Sequence, residues 1–353
     1  MGDALSGTFT YSNPQVIHWG SGSVSALAQE LARLHAQRIA LVTTASLVAK
    51  EHSGVVKQAL GDARVAVTVV VSQHSPIGQV NDAFARAAAA QVAGVVSFGG
   101  GSAVDAAKMI AVKLADRDGR AAHGLPHIAV PTTLSVAELA AGAGYTDEAG
   151  NKAGIRDPRQ LPDAVIYDAA LTMATPMALW LSTGIRALDH AVEGFLADGL
   201  HPFSDVMALE AIRRLFDSLP RAKATPGDVD VRTENQLAAW FGYTLTASAS
   251  GLSHVMGKQI GARHGIPHGV TSCLLLPHVV RYLEERMPER VALLAEATGP
   301  DPAGRVQHLI ESLGLPQHIA AYGIGEPELR RAAGELAGKH PAEELLEIYL
   351  AAL

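Results

Sequence analysis

Two short stretches hold the residues best able to do chemistry. Residues 184–196 read GIRALDHAVEGFL and residues 251–269 read GLSHVMGKQIGARHGIPHG. Together they supply Arg186, His190, His254, Lys258, His264 and His268. Arg186 and His190 are four residues apart, as are His254 and Lys258. On a helix that spacing puts both side chains of a pair on one face. Both pairs sit in apolar, helix-favouring sequence, where a cation among histidines needs a chemical reason. Histidines at this spacing can hold a metal; a cation beside them points instead to an anionic ligand.

A second candidate lies in the first half. The apolar run GVVSF (94–98) leads into Gly99, Gly100, Gly101 and Ser102, and then into AVDAAKMIAVKLA. Glycines between strand and helix let the backbone approach a phosphate, and the helix N-terminus offers free N–H groups. A tight turn with no ligand is the alternative, and the bare motif leaves both open. It is not the GxGxxG fingerprint. Thr132 and Thr133 end the next apolar run, PHIAV (126–130). Their hydroxyls can bond a ribose or phosphate, or cap a helix expected over 136–144.

The elements that must position these residues follow from hydrophobic patterning. Residues 8–18 read as a hairpin-like strand region. Buried strands are expected at 38–44, 65–71, 94–98, 126–130 and 164–167, alternating with helices at 24–36, 46–60, 78–91 and 103–115. That alternation predicts a parallel sheet with helices on its faces. From residue 177 the pattern is helical. Residues 221–234 read as a polar loop, 236–250 as a helix, and Pro277 as a kink or break in 272–282. The expected fold is α/β, an N-terminal Rossmann-like parallel-sheet domain followed by an all-α domain, divided as 1–160 and 161–353.

Composition narrows the function. The chain has 353 residues, 48% hydrophobic and 18% charged, with net charge −7. It has no basic block, which argues against nucleic acid or an anionic membrane as partner. Cys273 is the only cysteine, so no intrachain disulfide and no thiolate metal cage can form. No apolar run reaches membrane-spanning length, and the N-terminus lacks the layout of a signal peptide. A cytoplasmic protein is expected.

Six segments, in order, then carry a resemblance: GGGSAVDAAK (99–108), PTTLS (131–135), the TD…K turn (146–152), DP…LP…VIYD (157–168), ALDHAVEG (187–194) and GLSH…HGIPHG (251–269). Together they resemble the iron-containing alcohol dehydrogenase family, which shares its fold with dehydroquinate synthase, and within it the maleylacetate reductases. Those enzymes reduce a carbon–carbon double bond with NADH or NADPH. The resemblance implies a dinucleotide domain, a helical domain and an active site in the cleft between them. Gly99, Gly100, Gly101 and Ser102 would hold the pyrophosphate. Thr43, Asp105, Thr132, Thr133 and Lys152 match positions near the nucleotide. Thr44 stands where some relatives carry an acidic residue that selects against a 2′-phosphate, so NAD and NADP both remain. Relatives are often homodimers.

Metal-dependent members use an aspartate and three histidines. His190, His254 and His268 match the histidine positions, but Arg186 stands at the aspartate position. Guanidinium offers a metal no lone pair. Lys258 stands where the family commonly has another histidine. Asp189, about 300° round the helix from Arg186 at about 100° per residue, reads as a poor replacement carboxylate. Three readings compete: a surviving tris-histidine metal site, as in a metal-dependent alcohol dehydrogenase; a metal-free site in which Arg186 and Lys258 bind a small anionic substrate and His254 or His268 donates a proton; and structural histidines with altered chemistry. The second is preferred, with no metal ligand assigned. His264 is expected in a loop. A non-redox lyase, cyclase or isomerase on the same fold is the alternative function, and a pure binding protein is a weaker one.

Overall fold

The structure, a computed structural model, describes residues 14–49, 52–61, 64–197, 202–243 and 251–353. Part of the expected 8–18 strand region, and the end of the expected 236–250 helix, lie outside these residues.

The first compact unit runs through Pro176 and takes in Gly227–Gln236. Its centre is a six-stranded parallel sheet. The strands are β1 (Val16–Trp19), β2 (Ile39–Thr43), β3 (Val65–Val70), β4 (Gly94–Gly99), β5 (His127–Pro131) and β8 (Ala164–Tyr167), in the order β1-β8-β5-β4-β2-β3. Between the strands come α1 (Leu27–Arg33), α2 (Ala45–Val48), α3 (His52–Leu60), α4 (Ile77–Ala89) and α5 (Gly101–Arg117). Strand alternation sends side chains to two cores. Ala40, Val42 and Val95 join Val80 and Ala83 of α4 and Ala106 and Ile110 of α5. Ile39, Leu41, Val96 and Phe98 join Leu27 and Leu31 of α1 and Val56 and Leu60 of α3. Each buried Val, Leu, Ile or Phe among them contributes about 1.5–3 kcal/mol. The central strands β2 and β4 are buried at every position, which is why they read as continuous apolar runs.

The expected helix over 136–144 does not form. A single 3-10 turn (Ala137–Leu139) leads into β6 (Gly142–Thr146), paired antiparallel with β7 (Lys152–Arg156). The composition AELAAGAG favours helix, but α5 captures the backbone. The fully buried Lys108 donates from Nζ to the carbonyls of Ala137, Ala140 (2.8 Å) and Gly142 (2.8 Å). Asp105 Oδ2 accepts the Gly144 N–H at 3.0 Å.

The second unit comprises Met177–Pro226 and Leu237–Leu353. Its helices are α6 (Met177–Phe195), α7 (Pro202–Ala224), the second half of α8 (Val229–Tyr243), whose first half belongs to the sheet unit, α9 (Leu252–His264), α10 (His268–Glu284), α11 (Pro288–Thr298), α12 (Pro302–Leu313), α13 (Glu326–Leu336) and α14 (Ala342–Ala351). Helix α6 is buried on nearly every side, the mark of a central helix. The expected 221–234 loop shrinks to 225–228, because Asp228 accepts the N–H groups of Asp230 (3.0 Å) and Val231 (3.1 Å) and so starts α8 early. Pro277 lies inside an unbroken α10. Glycines set the α9–α10 spacing: a Cβ at Gly257 would meet Thr271 Oγ1 at 2.8 Å, and one at Gly261 would meet its Cγ2 at 2.9 Å. Among the described residues, no helix is long and apolar enough to cross a membrane.

Candidate active site

The sheet unit gathers the residues expected at a nucleotide. Gly99 ends β4 with φ 156°, a conformation open to glycine. Gly100 is the N-cap of α5; it has no side chain to cap the first turn, and its carbonyl accepts the Ala103 N–H at 3.0 Å. Thr133 and Ser135 pack against the glycines: a Cβ at Gly100 would meet Thr133 Cγ2 at 3.0 Å, and one at Gly101 would meet Ser135 Oγ at 3.2 Å. Thr132 N–H bonds Gly99 O at 2.9 Å, which ties the end of β5 to the turn. Ser102 Oγ accepts the His74 N–H at 2.9 Å. Thr43 ends β2, and its buried hydroxyl has no partner among the described residues. Lys152 opens β7 opposite Thr146. A helix N-terminus beside closely packed glycines fits a dinucleotide phosphate.

The helical unit gathers the histidines. His190 comes from α6, His254 from the first turn of α9, and His268 from the first position of α10. The His190 and His254 ring centroids are 5.8 Å apart, those of His254 and His268 5.0 Å, and Tyr243 of α8 meets His190 edge-on at 5.0 Å. Lys258 is exposed one turn after His254. His264 is the last residue of α9 rather than a loop residue, with Nε2 3.5 Å from Glu328.

Arg186 is 2% exposed and does not stand open to solvent. Its Nη1 donates to Asp189 Oδ2 at 2.8 Å and to Ser272 Oγ at 3.0 Å. The same Asp189 oxygen accepts from Ser253 Oγ (3.2 Å) and Ser272 Oγ (2.5 Å). This corrects only the angular argument about Asp189, since 300° one way round a helix is 60° the other, the ordinary (i, i+3) neighbour relation. Nη1 is taken, and Nε and Nη2 are buried without a partner among the described residues.

Burial sets the protonation of this cluster. It holds the His190 imidazole well below its usual range, and the Arg186 charge pushes it further down. Burial, with the charge of Asp189, drives the Glu193 carboxyl well above its usual range. Burial also raises Asp189, while Arg186 and the two serine hydroxyls pull it back. Glu193 reaches from α6 to the start of α9, where Oε1 accepts the His254 N–H at 3.2 Å. A Cβ at Gly251 would sit 2.2 Å from Glu193 Cδ, so that approach requires glycine.

Residues 14–169 match the iron-containing alcohol dehydrogenase family, and residues 180–342 match its C-terminal domain. The chain belongs to the iron-containing alcohol dehydrogenase family. It is a dehydrogenase/reductase, an NAD(P)H-dependent oxidoreductase. It is 31% identical to a maleylacetate reductase of Rhizobium sp. (strain MTP-10005), over 94% of this chain and 92% of that one. It is equally identical to one from Sphingobium indicum, over 91% and 88%. The solved maleylacetate reductase of Agrobacterium tumefaciens superposes with a TM-score of 0.88 at 29% identity, covering 99% of both chains.

The family name implies a metal, and the donor set does not fit one. Three imidazoles remain, but the carboxylate position is filled by a buried guanidinium, and Oδ2 of the neighbouring Asp189 is committed to three donors. Among the described residues, no three histidine, cysteine or acidic side chains are disposed around a cation site. Sequence reasoning missed Asp189, Glu193, Ser253 and Ser272. The serines carried no signal. The (i, i+3) and (i, i+7) spacing of Asp189 and Glu193 from Arg186 was a signal, since buried arginine demands a carboxylate on its own face.

Proposed function

We propose that this chain reduces an anionic oxo or unsaturated acid of the maleylacetate type with NADH or NADPH, at a site that uses no metal ion. The observation that carries this is the histidine cluster with a cation, Arg186, in the carboxylate position and a second cation, Lys258, one turn from His254. The names of the relatives support the substrate class.

When bound, the reduced nicotinamide supplies a hydride. Gly99, Gly100, Gly101 and Ser102 hold its pyrophosphate on the α5 N-terminus, with Thr43, Asp105, Thr132, Thr133 and Lys152 around the remainder. Lys258, being exposed, attracts the substrate carboxylate. Arg186 sits behind the histidines, neutralised by Asp189. His190 is held neutral by burial, so the proton that accompanies the hydride comes from His254 or His268. The reading extends to a cytoplasmic homodimer.

The test is turnover of NADH and NADPH with maleylacetate, followed by loss of reduced-nicotinamide absorbance after dialysis against a chelator. Steady turnover is expected. Binding of the cofactor without oxidation by maleylacetate or other oxo acids would reject the reductase assignment and favour non-redox use of the nicotinamide. Activity restored only by a stoichiometric metal would reject the metal-free site.

A further inference from the structure

The three histidines come from three helices, and one carboxylate oxygen ties together the same three. Asp189 Oδ2 accepts from Arg186 of α6, Ser253 of α9 and Ser272 of α10, at 2.8, 3.2 and 2.5 Å. Each tie sits beside a histidine. Asp189 precedes His190, Ser253 precedes His254, and Ser272 is one turn after His268 on the same face of α10. All four knot residues are buried: Arg186 is 2% exposed, Asp189 0%, Ser253 1% and Ser272 1%. A metal bound by three imidazoles would cross-link α6, α9 and α10 through His190, His254 and His268. Arg186 stands in place of the carboxylate such a metal site would share, yet the rings still meet at 5.0–5.8 Å.

We infer that the Arg186–Asp189–Ser253–Ser272 knot replaces the metal as the cross-link that sets the histidine cluster, so that Asp189, Ser253 and Ser272 are positioning residues of the active site. A charge-assisted knot in a dry interior is directional and strong, and it fixes its helices within one turn of each ring. Among the described residues, the His254 Nδ1 atom has no hydrogen-bond partner. Only the kinetic arm of the test rests on the reductase reading.

The experiment compares the full-length protein with the Ser253→Ala/Ser272→Ala double variant, checked for folding by circular dichroism. In the folded double variant the imidazole 15N shifts of His190, His254 and His268, at fixed pH, are expected to move. The shifts of His308, exposed on α12, should not. With maleylacetate, kcat should fall 10- to 100-fold, while KM and the Kd for NADH stay within about twofold. Unchanged shifts and unchanged kcat in the folded variant overturn the inference. A wild type that oxidises no NADH defeats the reductase reading, and the 15N shifts still decide the knot. Should the double variant fail to fold, cobalt(II) titration of the wild type decides it. One cobalt per chain, with the absorption of a histidine-ligated ion, means that the metal is the cross-link and the knot is not. No such band supports the knot.

Discussion

Arg186 and Asp189 are each tolerable in the interior only because of the other. Removing one partner of a buried pair leaves an uncompensated charge and costs about 3–5 kcal/mol, whereas replacing both with apolar groups is often near neutral. Asp189→Asn should therefore lose about that much in urea unfolding. Arg186→Met/Asp189→Leu should lose less than the single change, and an equal or larger loss would contradict the pairing. Glu138 makes a different prediction. It is buried, accepts from Tyr167 Oη at 2.9 Å, and is pushed by burial up to about 7. The folded state holds this proton more tightly than the unfolded state. The contribution is therefore complete below the usual carboxyl value of 4.5 and is lost as pH rises through about 7. Glu138→Gln should match wild type near pH 4.5 and exceed it at pH 8, by on the order of 3 kcal/mol. A pH-independent difference would count against it. The Arg186–Asp189 spacing was visible in the sequence, but the Glu138 effect was not, because residues 136–144 read as a helix that does not form.

Glycine sets the spacing between elements. Thr271 of α10 lies against Gly257 and Gly261 of α9, and these helices carry His268 and His254. Gly257→Ala would bring a Cβ to 2.8 Å from Thr271 Oγ1 and force the helices apart. Overpacking of this kind costs about 1–3 kcal/mol, and it should lower kcat more than it weakens NADH binding. Equal effects on both would show that the contact does not reach the site. The β4–α5 turn behaves in the opposite way. Gly99→Ala adds a Cβ 2.8 Å from Ala103 Cβ at a φ of 156°, so it should weaken cofactor affinity by tenfold or more, read by NADH fluorescence titration. The glycines themselves were visible in the sequence. Their partners Thr271, Thr133 and Ser135 were not, because a glycine shows that something approaches without showing what.

For the whole molecule, the α/β-then-helical order was legible because period-2 and period-3.6 hydrophobic patterns are local. Saturating nicotinamide dinucleotide should raise the thermal midpoint, since a ligand at 100 times its Kd adds about 2.7 kcal/mol. No shift with either NADH or NADPH would contradict the cofactor assignment. The sequence by itself determined the sheet unit, the glycine turn, the run of helices and the three histidines with Arg186 in place of a carboxylate. It left undetermined the β6–β7 hairpin, held by Lys108 and Asp105 from α5 against the local preference for helix. Nor did it show the role of Asp189, whose meaning depends on two serines 64 and 83 residues away along the chain. Local pattern records which face of an element is apolar. Only tertiary packing decides which buried polar groups meet, and a buried charge takes its function from whatever it meets.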